Sequence, residues 1–163
     1  MFSLHLPSQH VAVFYNCTFR NSGKPLSETE NAMVVVVISA KKVVFANCTF
    51  LDNIGTAISA IQSNIIFEGN ITFRNNTGMN GGALSFCEDS AMYLRSNTSI
   101  QFLDNHALHS GGAIYAQDQS LTNPDKCFFR LEKEHKDQDP LKQSIFTFKT
   151  TLQHMPEVYC MVV

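Results

Sequence analysis

The residues best equipped for chemistry are five asparagines, two aspartates, a pair of histidines and five cysteines. Asn16-Cys17-Thr18, Asn47-Cys48-Thr49, Asn70-Ile71-Thr72, Asn75-Asn76-Thr77 and Asn97-Thr98-Ser99 all have the Asn-x-Ser/Thr form. That form is the acceptor signal for an N-linked glycan, which makes Asn16, Asn47, Asn70, Asn75 and Asn97 the glycosylation candidates. A turn asparagine followed by an outward strand threonine yields the same triplet, so the pattern has a structural explanation as well. Asp52 and Asp104 fall at one position of a repeat, with Asn75 between them. Two coils of a stacked sheet separate them by roughly 9.6 Å. An inverting glycosidase holds its acid and base ~6.5–9.5 Å apart, so this pair sits at or beyond the limit. Arg74 neighbours that column as a weak surface partner. His106 and His109 lie in a polar link and read as solvated. Cys17, Cys48, Cys87, Cys127 and Cys160 are odd in number and widely spaced, which is neither a metal motif nor a disulfide framework. No catalytic residue, metal ligand or cofactor is expected.

These residues are carried by one sentence written three times. Phe50, Phe73 and Phe102 stand 23 and 29 residues apart. Each is followed three residues later by Asn53, Asn76 or Asn105, and then by Gly55-Thr56-Ala57, Gly81-Gly82-Ala83 or Gly111-Gly112-Ala113. A fixed grammar at this period marks a solenoid. Inside each unit the period is two: Ile71 and Phe73 bracket Thr72, and Ile100 and Phe102 bracket Gln101. That alternation is a strand signal. Val43-Val44-Phe45, Ile65-Ile66-Phe67 and Met92-Tyr93-Leu94 supply a further strand upstream of each phenylalanine. A unit therefore holds a Gly-x-Ala strand, an aliphatic strand, a Phe strand and a turn. Three short strands in about two dozen residues predict one coil of a right-handed parallel β-helix, with the phenylalanines as an inward ladder and the asparagines stacked in the turn. A propeller or an antiparallel sandwich would need short hairpin signals between adjacent strands, and few are present.

Residues 11–22 resemble an earlier copy of 43–53, with Phe19 aligned to Phe50, Cys17 to Cys48, and Ser22 in place of the asparagine. Met33–Ile38 fills the place of the Gly-x-Ala strand. Cys17 and Cys48 then occupy the inward column of Ile71 and Ile100, and are expected as free thiols because parallel side chains hold their Cβ atoms apart. A Cys87–Cys127 bridge is a weaker expectation. The repeats are placed at 11–116, and 117–163 is expected to be an irregular tail or cap. Met33–Ile38 is far too short to span a membrane, and residues 1–10 lack the basic start and apolar core of a signal peptide. Few coils without a recognisable N-terminal cap suggest a piece of a longer protein. Charged residues are 16% and the net charge is −2, with no basic patch, so nucleic acid is not an expected partner. The 13 phenylalanines are accounted for by stacked columns.

The alternation of Gly81-Gly82-Ala83-Leu84 and Gly111-Gly112-Ala113-Ile114 with Phe-x-x-Asn resembles the repeats of chlamydial polymorphic outer membrane proteins. Similar repeats occur in uncharacterised animal proteins. The resemblance covers roughly residues 43–116, and Gly55-Thr56-Ala57-Ile58 departs from it in having a single glycine. It implies a surface passenger with a role in adhesion, carried in that family by an outer-membrane barrel.

The expectation is thus an all-β, right-handed parallel β-helix of about three to four coils with an irregular C-terminal segment. Its expected role is non-enzymatic: an extracellular or cell-surface module that binds a protein or carbohydrate through multivalent weak contacts. The alternative is a carbohydrate-active β-helix enzyme, a lyase or hydrolase whose catalytic coils lie outside this segment. Open solenoid ends expose unpaired strand edges, so end-to-end self-association is expected as well.

Overall fold

The computed structural model of the chain describes residues 2–6, 10–23, 32–117, 129–131 and 145–149, the last two segments by their strand pairing alone. The first coil holds β1 (Phe2–His5), β2 (Val11–Tyr15) and β3 (Thr18–Arg20). The second holds β4 (Met33–Ile38), β5 (Lys42–Ala46) and β6 (Thr49–Leu51). The third holds β7 (Thr56–Ile61), β8 (Asn64–Glu68) and β9 (Asn70–Arg74), followed by β10 (Thr77–Asn80). The fourth holds β11 (Leu84–Cys87), β12 (Ala91–Leu94) and β13 (Ser99–Leu103), followed by β14 (His106–Ser110). β15 (Ile114–Gln117), β16 (Phe129–Leu131) and β17 (Ile145–Lys149) add one more rung.

Every rung pairs in parallel with the one above it. The result is three five-stranded sheets: β1-β4-β7-β11-β15, β2-β5-β8-β12-β16 and β3-β6-β9-β13-β17. The chain is therefore an all-β parallel solenoid, with no helix among the described residues. Registers follow the repeat: Phe19, Phe50, Phe73 and Phe102 are successive partners in the third sheet. The strand pairing extends past the 11–116 limits drawn from the repeat. β1 pairs with β4, so a first-sheet strand precedes the 11–22 copy of the repeat. The four residues of β1 carry no Gly-x-Ala, and Leu4 packs on the core while Phe2 meets the Phe14 ring edge-on at 5.8 Å. Beyond 117, β16 and β17 continue the second and third sheets.

The core is the prism enclosed by the three sheets. Val35, Ile58 and Leu84 line it from the first sheet, Phe45 and Phe67 from the second, and Phe50, Phe73 and Phe102 from the third. The third-sheet rings stack at 4.8, 4.8 and 5.2 Å with interplanar angles of 4°, 12° and 6°. Their edges meet the second-sheet rings, as in Phe67–Phe73 at 5.8 Å and 83°. Parallel register places like on like along each column, and ring edges fill the space between columns. Both arrangements suit the aromatic quadrupole.

Corners between sheets need a sharp bend, which left-handed residues provide. Asn16, Asn47, Asp52, Asn75, Asn97 and Asp104 lie there with φ from 50° to 62°. Asn and Asp enter that region more readily than other side chains. Behind the corner that closes each coil, buried amides run along the axis. Asn53 Nδ2 donates to Asn76 Oδ1 at 2.8 Å, and Asn76 Nδ2 to Asn105 Oδ1 at 2.8 Å. Asn53, Asn76 and Asn105 Nδ2 also donate to the carbonyls of Phe19, Phe50 and Phe73 respectively, at 2.9–3.1 Å. Buried polar groups are thereby satisfied without water.

Candidate binding groove

Three of the links that close coils lie wholly within the described residues, and their lengths differ. Residues 54–56 join Asn53 to Ala57, 77–82 join Asn76 to Ala83, and 106–112 join Asn105 to Ala113. The short link forms only bridges, Gly23 to Ile54 and Ile54 to Thr77. The longer ones grow into β10 and β14, which pair with each other as a separate two-stranded sheet. This ridge leans on the first sheet: Thr56 Oγ1 donates to the Asn80 carbonyl at 3.2 Å, and Met79 is buried.

The double glycine returns the chain from ridge to sheet. Gly81 has φ +73°, and a Cβ there would lie 2.0 Å from the Leu84 carbonyl oxygen. At Gly82 a Cβ would meet the carbonyl oxygens of Gly112 and His106 at 2.3 and 2.4 Å. Backbones approach too closely for any side chain. Gly111 repeats the geometry of Gly81 with φ +67°, and Gly112 follows it. Gly55 lacks a second glycine because its three-residue link builds no ridge.

Between the ridge and the outer face of the first sheet runs an open groove of about 280 Å³. Its floor is a column of small hydroxyls, with Ser59, Ser85 and Tyr115 as successive register partners. Met33, Thr56 and Asn80 line one part of it, and Ile61, Cys87, Glu88 and Gln117 another. Tyr115 therefore faces outward, opposite in sense to core-facing Ile114. Its hydroxyl donates to Gln117 Oε1 at 3.1 Å. Glu88 accepts from Gln62 Nε2 at 3.2 Å. The lining offers hydroxyls, amides, one ring and one carboxylate, and no cationic side chain. The repeat grammar records inward residues, so it left this outward set unseen; the growing link lengths were the available signal.

Of the residues singled out for chemistry, Cys87 lines this groove and the other described ones lie elsewhere. Asp52, Asn75 and Asp104 do share a corner column, where Asn75 Nδ2 donates to Asp52 Oδ1 at 3.0 Å. Arg74 is exposed on β9, and Arg95 forms an ion pair with Glu68. His106 and His109 are exposed on β14. Among the described residues no group of three or more His, Cys, Asp or Glu is placed to hold a metal. No helix among them is long and apolar enough to cross a membrane.

Cys17, Cys48 and Cys87 are free thiols; Cys127 and Cys160 lie outside the described residues. Cys48 is fully buried, with Sγ 3.3 Å from the Ala46 carbonyl. Burial pushes its thiol pKa above the ordinary value, and neighbouring Cys17 adds to the effect against opposing backbone hydrogen bonds. All five sequon asparagines are exposed. Asn16, Asn47, Asn70 and Asn97 lie between the second and third sheets, and Asn75 lies at the corner leading to the ridge.

Residues 99–117 match the Chlamydia polymorphic membrane protein repeat. No curated protein and no solved structure matches the chain. The matched stretch comprises β13, ridge strand β14 and β15, which carries Tyr115. The chain thus carries a repeat of the Chlamydia polymorphic membrane protein type within a parallel β-solenoid.

Proposed function

We propose that the chain is a non-enzymatic surface module that binds neutral carbohydrate in the first-sheet groove. The observation that carries this reading is the coincidence of the matched repeat with one end of the groove: β14 extends the ridge and β15 brings Tyr115. The repeat belongs by name to a family of membrane proteins, which supports a place at the cell surface and, with it, adhesion. Hydroxyls and amides can exchange hydrogen bonds with a sugar, and the half-buried Tyr115 ring can take its C–H face. A groove just under the ~300 Å³ at which drug-sized sites begin suits a short stretch of a glycan, held weakly. Many copies on one surface would convert weak contacts into firm attachment. Glu88 is the single carboxylate in the lining, where acid–base cleavage of a glycosidic bond uses a pair. That favours binding over the lyase or hydrolase alternative.

The test is a glycan array probed with the chain multimerised through a biotin tag. Binding to uncharged glycans is expected, falling about tenfold on Tyr115→Ala, the size of a modest hot spot. Ser85→Phe, which fills the groove, should abolish it while the far-ultraviolet circular dichroism stays unchanged. Absence of glycan binding, or binding indifferent to both substitutions, would overturn the assignment.

A further inference from the structure

We propose that the solenoid edge facing away from the groove is a glycan-bearing edge, with N-linked glycans on Asn16, Asn70 and Asn97 and none on Asn47 or Asn75. Each coil runs through the first, second and third sheets and then closes. In such a three-sided prism the corner between the second and third sheets is the one opposite the first sheet. Asn16 lies there between β2 and β3, Asn47 between β5 and β6, Asn70 at the start of β9, and Asn97 between β12 and β13. Four of the five sequons thus fall on one edge, on four successive coils, and all four acceptors are exposed. Three of their hydroxyl partners are aligned: Thr18, Thr49 and Thr72 are register partners on the third sheet, whereas Ser99, at the start of β13, pairs with Asn70.

The local contacts distinguish the acceptors. Asn47 Oδ1 accepts from the Asn70 backbone N–H at 2.9 Å, and its side chain lies over Gly69, where a Cβ would come within 2.2 Å of that oxygen. Asn47 therefore bridges two coils along the edge. A glycan there would hang from the amide of a side chain held against the backbone of the next coil and crowd acceptors ~4.8 Å away on either side. Asn75 is at a different corner, beside the ridge, with its amide donating to Asp52. Among the described residues no hydrogen bond engages the side-chain amide of Asn16, Asn70 or Asn97. Asn16 and Asn70 are two coils apart, roughly 9.6 Å. Leu94 pairs with Phe67 and Ser99 with Asn70, so residues 95–98 span what 68–69 span one coil earlier. The longer loop carries Asn97 outward and relieves its crowding against Asn70.

The step is a glycosyl transfer from a lipid-linked oligosaccharide diphosphate in a secretory lumen, onto a chain whose coils have already closed, so that the contacts above discriminate among the acceptors. The Asn Nδ2 forms a bond to the anomeric carbon, and the bond from that carbon to the phosphate oxygen breaks. The lipid diphosphate leaves with the electron pair, and the amide gives up one proton. Glycans placed in this way shield the second and third sheets and leave the first sheet clear.

The experiment is peptide mass mapping of the protein from the cells that make it, after enzymatic glycan release in ¹⁸O water. Each released site becomes a labelled aspartate. Label on Asn16, Asn70 and Asn97, and on neither Asn47 nor Asn75, upholds the proposal. Every other pattern overturns it, including a protein bare at all five. A chain retained inside the lumen reads equally well, because transfer precedes export. As a second measurement, Asn70→Gln should remove one glycan-sized step of gel mobility, and unchanged mobility counts against the proposal.

Discussion

Phe73 lies between Phe50 at 4.8 Å and Phe102 at 5.2 Å, with the edge of Phe67 against it, and is fully buried. Both stacks and the edge contact vanish in Phe73→Ala, and flanking rungs fixed by backbone pairing cannot collapse into the space. A loss of ~3–5 kcal/mol is expected from urea titration; a loss under about 1 kcal/mol would mean that the column is not what holds the coils. Cys48 gives a pH prediction with a definite sign. Its thiol keeps its proton in the folded chain beyond the ordinary 9.0, because burial disfavours the thiolate. The native state then binds more protons than the unfolded state over the interval between the two values. Its contribution is fully present below 9.0 and is lost as pH rises through the higher folded value. Cys48→Val suits a column otherwise filled by Ile71 and Ile100, so it should fold and lose less stability above 9.0 than the parent. Equal alkaline slopes for the two chains in paired urea titrations would rule the thiol out. The inward columns were legible because Phe, Asn and Ile recur at fixed offsets, and a parallel stack turns offsets directly into neighbours.

At the scale of elements, the ridge depends on backbone approach at the double glycine. Gly82→Ala sets a methyl group against the carbonyl oxygens of Gly112 and His106, neither of which can move without shifting β14. The ridge should detach while the three sheets, which pair through other residues, persist. Hydrogen exchange checks this: faster exchange is expected across 77–80 and 106–110, with 70–74 and 99–103 unchanged. Protection retained in the ridge would show that the close approach is dispensable. The ridge also marks where sequence reading ran out. Residues 77–82 and 106–112 look like polar links because β10 and β14 form a two-stranded sheet of their own, joined to the short link by the Ile54–Thr77 bridge, and bury little beyond Met79. β1 escaped notice for a related reason: Phe-Ser-Leu-His is too short to show alternation, and its pairing with β4 is fixed by the stack. The groove is harder still to read. Ser59, Ser85 and Tyr115 share a column but no repeated motif, and only three-dimensional register brings them together.

At the scale of the whole molecule, a stack of identical registers has no internal stop. β1, β2 and β3 are the outermost strands at one end of their sheets, so the outer backbone edge of each lacks a sheet partner among the described residues. The same end exposes Phe2 at 45%, Val13 at 61% and Tyr15 at 65%. An unpaired, apolar edge of this kind is a template for another rung. A second copy offers one in matching register, since its last rung places Ile114 in the column of Phe2 and Phe148 in the column of Phe19. Head-to-tail contact between unlike ends is heterologous and does not close, so growth rather than a fixed dimer is the expected outcome. Residues 1–163 expressed alone should therefore show a mass by sedimentation that rises continuously with concentration. Val13→Lys, which places a charge on the exposed edge strand, should hold the chain monomeric with its sheet content intact. A parent chain that sediments as one monomer at all concentrations and unfolds in a single cooperative step would show that these edges are protected. The stacking of coils would then be self-limiting within one chain.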